Sequence, residues 1–319
     1  MLHAVDGRHV ESAGDPDVRL RATVGTGPDA VVLEGAGPGV GPLEGRVVDV
    51  RPWSPPDPAL YDLRVELVAP DGSVVDAVHG HVGFRTVSVE PGRWMLNGEP
   101  LYQRLLLDQG YWPESLMTPP SEAALVADLE YVRDAGFNGV RKHQKVEDPR
   151  FLWHADRLGL LVWEELPSPF WLSRFDAPLE ADATAEWTEA IRRDRNHPCI
   201  VAWVPFNESW GLQDVHRDPE RVDVVRRVVA LTRELDPTRP VVDSSGWGHV
   251  DTDVVDVHDY DQDPASLTAR WTGIEARGWD RGGPAAGPQP DGGDPEAALA
   301  RFRAFLDPSP EMLEGDRWI

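Results

Sequence analysis

Asn196 to Gly211 reads NHPCIVAWVPFNESWG, and the fold is decided in this stretch. Its centre, Ile200 to Val204, is a short unbroken apolar run, the pattern of a strand buried on both faces. The run gives way to Asn207-Glu208 and then Trp210-Gly211. A helix is predicted on either side. One spans Asp182 to Arg193; the other opens at Asp218-Pro219, with Val222, Val225, Val229 and Thr232 turned inward. Strands alternating with helices imply a parallel sheet, and polar residues at the end of an apolar strand point to a barrel.

The alternation continues in both directions. Upstream, Leu101 to Leu107 is expected as a buried apolar strand, Gly139 to Arg141 as a short one and Leu160 to Trp163 as a third. Ser121 caps a helix whose Leu125, Leu129 and Val132 share a face, with Gly136 just past its end. Asp148-Pro149 opens another helix, which stops at Gly159. Downstream, Val241-Val242 and Val254 to Val257 are expected as two more strands. That makes six. A closed (β/α)8 TIM barrel needs eight, so this α/β barrel is expected to be incomplete at its C-terminal end. From about Gly278 the Gly/Pro/Asp-rich GWDRGGPAAGPQPDGGDPE reads as an irregular tail, with one late helix over Pro295 to Leu306.

Before residue 90 the texture differs. Val18 to Val24, Gly45 to Val50, Tyr61 to Val68, Ser73 to Val78 and Phe84 to Val89 read as short strands, with Asp71-Gly72 as a hairpin turn. They predict a small antiparallel sandwich. The expected division is therefore 1–90 for the sandwich and 91–319 for the barrel.

Composition narrows the function classes. With 31 Lys and Arg against 55 Asp and Glu, the formal net charge is −24, which repels phosphate backbones and argues against nucleic acid. No apolar run is long enough for a membrane span, and no signal peptide is legible at the start. Cys199 is the only cysteine, so neither an internal disulfide nor a cysteine-rich zinc site is expected. A cytoplasmic protein with no cofactor, and with no metal ligands among its site residues, is the expectation, while any metal requirement stays open. Thirteen tryptophans suit either a core or the stacking faces that sugars favour.

The chemistry concentrates at Asn207-Glu208. A carboxyl group on an apolar strand is expected to have a raised pKa, since burial disfavours its charged form, and such a group suits a general acid. Asn207 could bond a substrate hydroxyl. The bland alternative is a strand-end glutamate tied to one of the many arginines.

Asp194-Arg195-Asn196-His197-Pro198 followed by Asn207-Glu208 resembles the acid/base signature of glycoside hydrolase family 2, the β-galactosidase/β-glucuronidase superfamily. Further likenesses follow in order. Pro52 to Leu67 resembles that family's immunoglobulin-like domain, and Gly83-Phe84-Arg85 with Leu96-Asn97-Gly98-Glu99-Pro100 its junction with the barrel. Phe137 to His143 (FNGVRKH) resembles its second strand, and Asp156 to Glu165 (DRLGLLVWEE) its third. The resemblance implies hydrolysis of β-linked O-glycosides by a retaining two-carboxylate mechanism, with Glu208 as acid/base and a carbohydrate as partner. It implies substrate contacts from Asn207, Arg141, His143, Glu165 and Trp210, and from His258 and Tyr260 in VHDYDQD.

Two departures stand out. At the end of strand 1 the family's histidine slot holds Gln109, so Asp108, Gln109 and Trp112 are expected to contact the sugar differently. A retaining mechanism also needs a second carboxylate about 5–5.5 Å from the first. None of Glu275, Glu296, Glu311 and Glu314 has the apolar strand before it that the nucleophile's position requires. The alternative is thus a sugar-binding chain of the same family that lacks the nucleophile. A different class, a metal hydrolase, would use His249, Asp251, Asp253, Asp256, His258, Asp259 and Asp261, a dense but unspecific set. The sequence carries no signature of a particular sugar, linkage or oligomeric state.

Overall fold

The computed structural model describes residues 18–36, 43, 45–90, 93–167, 177–209, 212, 215, 218–246 and 248–271. Strands β1 (Arg19–Val24), β2 (Val31–Ala36), β3 (Tyr61–Val68) and β4 (Val74–Val82) form an antiparallel sheet in the order β2-β1-β3-β4. The register puts Leu20, Ala22 and Val24 opposite Leu67, Val65 and Leu63 on one face, while Arg21 and Arg64 share the other face with Glu66. Alternation alone dictates this face, because successive side chains of a strand point to opposite sides. Two details differ from expectation. Val31–Ala36 is a strand that Gly35 obscures in the sequence, and Gly45 to Val50 is not one.

A meander of β5 (Val87–Glu90), β6 (Arg93–Leu96) and β7 (Glu99–Leu101) follows, and it straddles residue 90. The parallel sheet comes next. It holds β8 (Leu105–Asp108), β9 (Gly139–Lys142), β10 (Leu161–Glu165) and β11 (Ile200–Val204), side by side in chain order. Beyond Pro205, β12 (Phe206–Asn207) continues β11 and pairs in parallel with β13 (Ser244–Ser245), while Trp203 bridges Val241. Five parallel strands in unbroken sequential order are what a barrel wall produces; a doubly wound sheet reverses its order at a switch point. β9, β10 and β11 are buried at every residue, so a continuous apolar run suits them better than alternation.

The helices begin and end where local chemistry directs. In α1 (Glu122–Asp134), Ser121 accepts from Ala124 N–H, and Leu125, Leu129 and Val132 are buried. In α2 (Pro149–Leu158), Asp148 caps the start, and Gly159 closes it at φ +72°, a left-handed turn in which a β-carbon would strike the Pro55 carbonyl. α3 (Ala177–Asp194) packs on α4 (Pro219–Leu235), which is capped by Asp218, and α5 (Pro264–Trp271) ends the described chain.

The strand expected from Leu101 starts only at Leu105, and Leu107 is 51% exposed, so this wall strand is not buried. Val254 to Val257 is not a strand. Thr252 and Asp253 bond back to Val241 instead, and their side chains take the place of a ladder. The helix expected over Pro295 to Leu306, with the rest of the tail, lies outside the described residues. So do the four glutamates after Tyr260.

Where the sandwich meets the barrel, contacts gather at the N-terminal ends of the parallel strands. The fully buried Trp53 donates its indole N–H to Asp156 O at 2.7 Å. Arg85 donates to Pro198 O at 2.9 Å and to Ile200 O at 2.5 Å. The opposite, C-terminal ends are left for chemistry.

Candidate active site

The C-terminal ends of β9, β10 and β12 bring Arg141, Glu165 and Asn207-Glu208 together, and the segment after β13 adds His258 and Tyr260. Arg141 is the hub. Its Nε and Nη2 donate to Glu165 Oε2 at 2.8 and 2.6 Å, its Nη2 to Asn207 Oδ1 at 2.7 Å, and its Nη1 to His258 Nε2 at 2.8 Å. A guanidinium only donates, so that last contact makes Nε2 the lone-pair nitrogen and leaves the ring proton on Nδ1. His258 Nδ1 then donates to Glu208 Oε1 at 2.6 Å, and the Tyr260 hydroxyl donates to the same oxygen.

Glu208 is 9% exposed, so it does not swing into bulk water. Its φ is +51° and that of Ser209 is +54°, two consecutive left-handed residues with β-carbons. Such backbone costs on the order of 1–3 kcal/mol per residue and clusters at working sites. Here it is held from β13: Glu208 N–H bonds Ser245 O at 2.8 Å, and Ser209 N–H bonds Ser244 Oγ at 3.0 Å.

The protonation pattern differs from that expected. Burial pushes the Glu208 carboxyl up, but the hydrogen bonds from His258 and Tyr260 and the nearby positive charge outweigh it and hold the group below the usual carboxylate range. The raised carboxyl is Glu165: burial drives it up to about 7 despite Arg141 and the Gln144 N–H. Burial and Arg141 together lower His143 to about 4, so its ring is neutral at physiological pH. Gln109 donates to His143 Nδ1 at 2.9 Å on the exposed side of the cluster.

The other expected residues divide. Asp108 takes the Gly110 N–H at 2.7 Å and Lys142 Nζ at 2.8 Å, which ties it to the 108–110 turn rather than to Arg141. Trp112, half-buried, sits in a loop closed by its own pairing with Leu116. Trp210 lies outside the described residues. Two participants were missed. Ser245 donates its one hydroxyl proton to Asp256 Oδ2 at 2.5 Å, and its oxygen lies 3.1 Å from His258 Nε2, so it packs against the imidazole while Asp256 holds it in place. The polar pair Ser244-Ser245 after Val241-Val242 was the available signal. Among the described residues the set proposed for metal does not gather three ligand atoms at one point: Asp251 and Asp253 pair with Arg233, His249 lies between Asp243 and Asp256, and Asp259 accepts from Trp271.

The family model described as "Glycosyl hydrolases family 2, TIM barrel domain" matches residues 120–262, and "Glycosyl hydrolases family 2" matches 10–85. Between them they take in more than half of the chain. The chain belongs to glycoside hydrolase family 2. Within that family it is 34% identical over 214 residues to "Beta-galactosidase 2" of Enterobacter cloacae, covering 64% of this chain and 19% of that one. The Parabacteroides merdae β-glucuronidase superposes with a TM-score of 0.64 at 19% identity, over 73% of this chain and 32% of its own. A family 2 β-galacturonidase from Eisenbergiella tayi, with galacturonate bound, matches with a TM-score of 0.59 at 27% identity, over 71% of this chain and 41% of its own. The chain spans about a fifth of the length of the first curated relatives it matches. No helix among the described residues is long and apolar enough to cross a membrane.

Proposed function

We propose that this chain carries the acid/base half of a retaining β-glycosidase site, with Glu208 as the proton-transferring carboxyl. The supporting observation is the left-handed Glu208, held at a strand's C-terminal end between His258, Tyr260 and β13. As described, Glu208 is in its ionised form, the form that activates water in the second half of the reaction. A nucleophile carboxylate entering at about 5–5.5 Å would raise it by like-charge repulsion and supply the acid form needed for the first half. Asn207 and Arg141 would bind sugar hydroxyls, with Glu165 orienting Arg141. His258 and Tyr260 would position Glu208. His143, Gln109 and Trp112 would line the sugar's outer side, Asp108 would shape the loop that holds Trp112, and Trp210 would contact substrate on the family resemblance alone.

The same reading divides the chain near residue 90 into an immunoglobulin-like domain and the barrel. It assigns the chain to the cytoplasm, acting on carbohydrate and not on nucleic acid or membrane. The single cysteine and the net charge of −24 support that assignment.

The test is hydrolysis of an aryl β-glycoside with a poor leaving group by a barrel carrying all eight strands. Glu208→Gln is expected to lower kcat by about 10²–10⁴-fold. An unchanged rate would remove Glu208 from the role. Binding of the glycoside without turnover in the parent would instead favour the sugar-binding reading.

A further inference from the structure

Away from the strand-end cluster, three ligand-bearing side chains from three elements meet where the sandwich docks on the barrel. His81 comes from β4, Asp156 from α2 and His197 from the turn before β11. His81 Nε2 lies 2.7 Å and His197 Nδ1 2.5 Å from one and the same atom, Asp156 Oδ2. The other oxygen, Oδ1, accepts from Cys199 N–H at 2.9 Å. The candidate ligand atoms all lie within 4.8 Å of one another, and among the described residues no other group of three does so.

We propose that His81, Asp156 and His197 bind a divalent transition-metal ion of the zinc type, which clamps the sandwich to the barrel. The donor set selects the ion: two imidazoles with one carboxylate suit zinc and its neighbours, whereas magnesium and calcium want oxygen throughout. Charge points the same way. Asp156 is fully buried, and its hydrogen-bonding partners are two imidazoles and one amide, with no lysine or arginine paired to it among the described residues. A buried carboxylate calls for a compensating cation.

The geometry needs little adjustment. With metal–ligand distances of about 2.0–2.2 Å, tetrahedral ligand atoms stand roughly 3.3 Å apart, so each imidazole would withdraw by less than about 1 Å. Both histidine side chains are 15% exposed, which leaves an entry path from solvent. Trp153, with its ring centroid 4.3 Å from that of His81, fixes one ring's orientation. On binding, each coordinating nitrogen offers its lone pair, and its proton moves through solvent to the other ring nitrogen.

The experiment uses the purified 319-residue chain, stripped with chelator and dialysed against zinc chloride or cobalt chloride. One equivalent of metal per chain is expected, with a visible cobalt d–d spectrum and a higher unfolding midpoint in zinc. His197→Ala and His81→Gln are each expected to weaken zinc binding at least about 100-fold and to abolish the cobalt spectrum. His81→Gln can still bond Asp156, so it keeps the junction while removing a ligand, and circular dichroism checks that it is folded. No stoichiometric uptake by the parent overturns the proposal. Parent affinity in folded His81→Gln overturns it equally.

Discussion

The two ends of the parallel sheet handle buried charge in opposite ways. At the N-terminal end, Asp236 is matched to donors. Asp236 takes Arg239, Trp203 Nε1 at 2.9 Å and the Thr238 N–H at 2.9 Å, and although burial pushes it up, Arg239 and these bonds hold it down at about 2. Arg239 also donates to Ile200 O at 2.8 Å and His197 O at 2.7 Å. At the C-terminal end the groups are driven apart: Glu165 rises to about 7, Glu208 falls and His143 drops to about 4, beside left-handed Glu208, Ser209 and Gln144. Matched charge makes structure, whereas titratable neighbours pushed in opposite directions make proton transfer possible.

The largest test of that contrast removes the N-terminal anchor. Arg239→Leu would leave Asp236 buried without its cation, a change that costs about 3–5 kcal/mol. Guanidinium unfolding of the parent and the variant measures it. A loss below about 1 kcal/mol would show that this end is not held by its charges.

Next comes pH, where the two ends should move with opposite sign. Glu165 has a folded pKa of about 7 against an ordinary 4.5, so its contribution is fully present below 4.5 and is lost as pH rises through 7. That loss is worth about 3 kcal/mol. Asp236, at about 2 against 3.8, contributes about 2 kcal/mol above 3.8 and loses it as pH falls through 2. The Glu165 effect is read as the difference in unfolding free energy between the parent and Glu165→Gln from pH 4.5 to 8, because His143, lowered to about 4, gains stability over much of the same range. A parent–variant difference that does not change with pH would mean that Glu165 ionises normally.

Half of this contrast was legible in the sequence. The apolar runs of β9 to β11, the caps Ser121, Asp148 and Asp218, and Asn207-Glu208 at a strand end all rest on local rules, and local rules survive folding. The protonation of Glu208 does not. Apolar neighbours in sequence predicted a raised pKa, but the groups that lower it, His258 and Tyr260, arrive 50 and 52 residues later. His81 and His197 likewise lie 75 and 41 residues from Asp156, so no spacing motif could announce that cluster. Val254 to Val257 misled for the converse reason: β-branched residues favour a strand, yet the bonds from Thr252 and Asp253 to Val241 already occupy that edge.

The smallest expected effect sharpens the comparison from within the functional end. Helix N-termini follow strand C-termini in this fold, so Ser121, the cap of α1, lies on the same side of the barrel as Glu208. Its hydroxyl does nothing but accept the Ala124 N–H at 3.1 Å. Ser121→Ala should therefore cost about 1 kcal/mol, the ordinary worth of an N-cap, and leave the pH dependence set by Glu165 unchanged. Chemical denaturation at two pH values on either side of 7 separates the two quantities. If the variant also flattened the pH profile, residence at this end of the barrel would by itself perturb the site, and the division between anchoring and reactive charge would lose its physical basis.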